Sequence, residues 1–150
     1  MTRPERTAVK PLAQSTPEQF ITDFFTTFHE QVVRGDHDPA PAMARFYAPD
    51  IVMVSDGIRL DWDKLLAHIR PVRKNLAPGD EARFEVHEAI ADGDRIAARL
   101  TIHAATRKKR IATEVVAFYT FTSDGRMTES HGCTRIVADT PTAPEPERRE

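Results

Sequence analysis

Apolar side chains recur at four-residue spacing from Phe20 through Phe24 and Phe28 to Val32, and Ile21 and Phe25 widen the stripe. That pattern is one face of an amphipathic helix. Thr16 stands where an N-cap belongs, Pro17 fits the first helical position, and Gln19 completes a capping box. Gly35-Asp36 ends the element. After Pro39 and Pro41, residues 42–47 predict a short second helix that Pro49-Asp50 stops, and residues 51–55 predict a strand. Asp56-Gly57 is a turn pair. Asp61 can cap a third helix with Trp62, Leu65, Leu66 and Ile69 on one face, ended or kinked by Pro71. Residues 77–80 read as a loop. Beyond it the hydrophobic period shifts to two. Residues 82–91, 95–104, 110–121 and 127–137 predict strands, with hairpin turns at Asp92-Gly93-Asp94 and Ser123-Asp124-Gly125. Helices first and an antiparallel meander second predict an α+β domain, with helices on one face of a sheet.

Composition narrows the class. A chain of 150 residues fits one domain. Residues 1–14 and 139–150 carry prolines and charges with little apolar periodicity, so both are expected to be disordered tails around a single domain at 15–138. The 21 Lys+Arg against 23 Asp+Glu give a net charge of -2, and no general pull toward nucleic acid. No apolar run reaches the roughly 18 residues of a membrane span. Residues 1–10 lack the apolar core of a secretory signal. One cysteine, Cys133, excludes an internal disulfide and a cysteine-rich zinc site. The six histidines form no metal-ligand motif. A soluble, cytoplasmic domain without metal or cofactor is expected.

Several segments in this order resemble the nuclear transport factor 2-like superfamily, in its SnoaL-like polyketide cyclase and ketosteroid isomerase branch. They are Arg34-Gly35-Asp36 after the first helix, the passage from Phe46 to Val52, the run from Asp92 to Ala97, and the run from Phe121 to Met127 with Glu129 beyond. The resemblance covers about residues 17–138. It implies a cone: a curved antiparallel sheet wrapped around N-terminal helices, with a pocket at the open end. It also implies a small hydrophobic molecule as ligand and a homodimer through the outer face of the sheet.

Candidate chemistry follows from alternation and from that resemblance. On residues 95–104, Ala97, Arg99, Thr101 and His103 share one face, and Ile96, Ala98, Leu100 and Ile102 the other. Alternation alone admits two placements for the polar row, inside a pocket or in solvent. The resemblance puts the position of Arg99 inside. There His103 can serve as acid or base and Arg99 can stabilise an enolate or oxyanion. By resemblance Asp56 lies near the position of a general base, where partial burial raises a carboxyl pKa. Asp-Gly is equally ordinary turn chemistry. Phe28 and Ala117 stand where steroid isomerases carry their oxyanion tyrosine and acid, which argues against that activity. Tyr47, Met53, Trp62, Thr101, Tyr119 and His131 are candidate substrate contacts. Two functions compete. One is a cofactor-independent acid/base isomerase, cyclase or dehydratase acting on a hydrophobic carbonyl-bearing substrate, with Asp56, His103 and Arg99 catalytic. The other is a non-catalytic ligand-binding or dimerisation module.

Overall fold

A computed structural model describes residues 9–141. The order is a 3-10 turn (Pro11–Gln14), α1 (Pro17–Phe28) continued by a π-helical turn (His29–Val33), α2 (Pro39–Met43), β1 (Tyr47–Ser55), β2 (Ile58–Asp61), α3 (Trp62–Asn75), β3 (Glu81–Asp92), β4 (Arg95–Ala105), β5 (Lys109–Phe121) and β6 (Met127–Pro141). The six strands form one curved, unclosed sheet in the order β2-β1-β6-β5-β4-β3, and the fold is the expected α+β cone. One pairing departs from the antiparallel meander, since β1 joins β6 in parallel from Val52↔Glu129 to Ser55↔Gly132.

Local chemistry explains most boundaries. Thr16 accepts a hydrogen bond from the Gln19 amide at 3.2 Å, and Asp61 accepts one from Lys64 at 3.0 Å, so both helices begin where their caps stand. The second helix lies earlier than 42–47. Asp38 caps it, and Pro39 and Pro41 occupy first-turn positions where no amide donor is needed. Pro71 does not end α3, which runs on to Asn75. Both Pro71 and Ala67 are exposed, so water can serve the carbonyl that the missing amide leaves. Strand β1 runs through Pro49-Asp50, where its register against β6 shifts. The short β2 has no counterpart among the elements that the sequence pattern predicts.

The core lies between α1 and the concave face of the sheet. Phe20, Phe24, Phe46 and Phe121 interlock edge to face, with centroids 4.9–5.7 Å apart. Across the concave face, Ser55, Gly132, Ala117, Ala98 and Ala89 form one row of small residues. A Cβ on Gly132 would meet that of Ala117 at 2.6 Å, so only glycine allows the strands this approach. The packed body starts before residue 15: Val9 is fully buried, and the Lys10 amide donates to the Ser123 carbonyl. At the other end β6 stays paired with β5 as far as Pro141. The rest of the expected tails, 1–8 and 142–150, lies outside the described residues.

Candidate functional site

The polar row of β4 occupies the convex face, outside the cone. Ile96, Ala98 and Leu100 are buried toward the helices, and Arg99, Thr101 and His103 point the other way. Arg99 bonds Glu88 at 3.1 Å and approaches Glu114, which also holds Arg135 at 3.1 Å. Thr101 bonds His87 at 2.6 Å, and His103 bonds Glu85 at 2.8 Å. These are cross-strand pairs on the convex face, where Thr101 is buried under His87. The interior placement expected for Arg99, Thr101 and His103 is therefore corrected. The aliphatic half of the strand is what the helices bury.

Asp56 departs from expectation in another way. It occupies the β1–β2 turn with φ of 52° and accepts from the Thr134 amide at 2.7 Å and from the Thr134 hydroxyl. The hydroxyl first, then the amide, hold its carboxyl below the usual carboxylate range. It is a latch between β1 and β6, with the opposite shift to that of a raised-pKa base. Asp56 also lies at the end of β1, three strand spacings from β4, a separation of roughly 14 Å. Asp56, Arg99 and His103 do not converge.

The contact candidates divide by face. Tyr47 and Tyr119 are buried on the concave side beneath α1, where burial, and for Tyr47 also the neighbouring Tyr119, push both phenols upward. Neither hydroxyl bonds another described residue, and neither is sealed from solvent. Met53 and Trp62 are half-buried against the same core, and buried Ser130 sits between Met53 and Tyr119 on the concave face. His131 pairs with Phe118 on the convex face and is exposed, so it lines no interior pocket.

A cleft of about 990 Å³ opens at the end of the sheet where β3 and β5 begin and β4 and β6 finish. Its floor includes Ala82, Ala104 and Ile111, and register carries the same face inward to Phe84, Ile102 and Thr113. Arg34, just past the π turn, donates to the Asp80 carbonyl and ties the helical wall to the loop before β3. His103 borders the cleft while its Nε2 is held by Glu85. The residue that sequence reasoning missed is His29. It opens the π turn, lines the cleft and meets the Phe84 ring at 6.1 Å. Its signal was present as Ile21, Phe25 and His29 at four-residue spacing, a second stripe that ends in an imidazole. Burial first, then Arg34, push the His29 pKa down against the opposing Glu30. Among the described residues no group of three or more His, Cys, Asp or Glu is placed to hold a metal, and no helix is long and apolar enough to cross a membrane.

A family model for the SnoaL-like domain matches residues 21–130. None of the curated proteins matches the chain by sequence. Among solved structures, it is similar to a conserved protein from Planctomyces limnophilus, at TM-score 0.61 and 12% identity, over 80% of this chain and 97% of that one. It is similar to the epoxide hydrolase/cyclase-like enzyme SalBIII of pyran ring formation in salinomycin, at TM-score 0.60 and 13% identity, over 86% and 98% of the two chains. A third is an LEH-like epoxide hydrolase from M. tuberculosis, at TM-score 0.54 and 15% identity, over 78% and 84%. At these identities the likeness establishes the fold and leaves activity to the site.

Proposed function

The chain belongs to the SnoaL-like domain family, and from that premise we propose that it binds a small, apolar, carbonyl-bearing molecule in the cone without a cofactor. The observation that carries this reading is the cleft of about 990 Å³ with alanines and Ile111 on its floor. That volume suits a small-molecule site. Deeper on the concave side the buried polar groups are neutral hydroxyls, those of Tyr47, Tyr119 and Ser130. They suit an uncharged oxygen function. Turnover as an isomerase, cyclase or dehydratase is the second reading, favoured by the titratable imidazole of His29 at the cleft. The set built on Asp56, Arg99 and His103 does not support it, because Arg99 and His103 lie on the convex face of β4 and Asp56 lies three strand positions away.

Thermal unfolding with and without 2-acetylnaphthalene tests the binding reading. A bound ligand raises Tm with its concentration by mass action. Ala104→Trp fills the cleft floor and should abolish the rise. A rise that persists in that variant, or no rise up to the solubility limit, counts against the site.

We propose further that two chains associate through the convex face. Ile90, Val116 and Phe118 are 70%, 50% and 56% exposed there, beside the ion pairs of Arg99 and Glu114. Exposed apolar clusters framed by charges are typical of protein interfaces.

A further inference from the structure

We propose that His29 is the hydrogen-bond donor of the ligand site, with its Nδ1–H directed at the carbonyl oxygen of an uncharged, apolar ketone seated in the cleft. This rests on the ligand-binding reading above and assigns the group that recognises the oxygen.

The geometry of α1 leads to it. The helix changes from α to π geometry at His29, and single π turns within helices recur at functional sites. The turn is held from outside: Arg73 of α3 donates from Nε to the Val32 carbonyl at 2.8 Å and from Nη1 to the His37 carbonyl. The imidazole is thus fixed at the cleft wall by packing rather than by a hydrogen bond of its own. Its Nε2 is sealed from solvent with no partner, one of two such side-chain atoms among the described residues.

That sealed nitrogen decides the tautomer. A buried N–H without an acceptor is rarer in proteins than an acceptor left without a donor. The neutral ring therefore keeps its lone pair on the sealed Nε2 and its proton on Nδ1. Nδ1 is not sealed and bonds no other described residue. A donor on an apolar cleft calls for an acceptor oxygen. The charge around it argues for a neutral ligand: Arg34, Arg83 and Arg110 line the cleft with Glu30, Asp80 and Glu81, three of each sign. Such a rim exerts no net pull on an ion.

The test uses the full chain and two probes of matched shape, 2-acetylnaphthalene and 2-isopropylnaphthalene, the second carrying a methyl in place of the oxygen. Wild type is expected to bind the ketone more tightly. His29→Leu should weaken the ketone roughly three- to tenfold, the worth of one neutral hydrogen bond, and leave the hydrocarbon unchanged. His29→Asn, whose side-chain N–H can stand near Nδ1, should restore most of the loss. Side-chain nitrogen NMR should show the Nδ1–H tautomer, with that resonance moving on ketone addition. Equal loss of both probes in His29→Leu, no rescue by Asn, or the Nε2–H tautomer overturns the proposal. If both probes bind and His29 variants change neither, the binding reading stands and this assignment falls. If neither probe binds wild type, the binding reading falls and takes the assignment with it.

Discussion

Asp56 holds a left-handed backbone that asparagine and aspartate tolerate better than other side-chain-bearing residues, and its carboxylate spans to Thr134 across the end of the β1–β6 pairing. The Asp56 amide already donates to the Gly132 carbonyl at 3.1 Å, so the side chain extends a ladder that the backbone is leaving. Because the folded carboxyl is held below its usual value of 3.8, the latch contributes its full stability above that value. The contribution is lost as pH falls through the lowered folded pKa. Asp56→Asn keeps the backbone conformation and removes the charge. It should lower Tm by a few degrees at pH 7, with a gap to wild type that narrows as the pH is brought toward 3. Thermal melts at the two pH values check this. A gap independent of pH would mean that the charge is not what Thr134 holds.

The junction of α1, its π turn and α3 is the element on which the cleft depends. Gly35 follows the turn where a Cβ would stand 2.3 Å from the Gln31 carbonyl oxygen, so no larger residue passes there without displacing the helix end. Arg73 reaches this corner from the last turn of α3 and serves the Val32 carbonyl that the helix end leaves open and the His37 carbonyl of the loop beyond. Arg73→Met keeps the aliphatic stem and removes the fork. It should cost about 1.5–3 kcal/mol, the range for hydrogen bonds from a charged group, read as a lower urea midpoint at unchanged slope. Arg73→Lys should not recover it, since an ammonium does not reproduce the planar fork.

On the scale of the whole molecule, the sheet separates two surfaces. The concave one holds the aromatic core and opens at the cleft. The convex one carries the ion-pair ladder and the apolar cluster around Phe118, which Arg95 partly covers at 5.6 Å. If two chains meet there, Phe118→Glu should shift sedimentation from dimer to monomer while leaving ketone binding at the cleft intact. A chain that sediments as a monomer at every concentration would end that reading. The α+β class, α1, the start of α3, the main turns and the four long strands were legible in the sequence because each is set locally, while α2 lies three residues earlier than its pattern suggests and the short β2 left no pattern. Thr16 and Asp61 cap their own helices, Asp-Gly pairs turn the chain, and period-two alternation splits Arg99 from Leu100. Alternation is blind to which of two faces is concave, and that choice put Arg99, Thr101 and His103 on the convex face instead of inside the cone. The sheet turns toward the side where α1 can bury its phenylalanines against Ile96, Ala98 and Leu100, and desolvating those aliphatic side chains outweighs any use of the polar row inside. The cleft likewise came from tertiary structure alone. The His29–Arg34 corner, Asp80 and Ile111 are far apart in sequence, and only the overhang of β3–β6 beyond the π turn brings them to one opening.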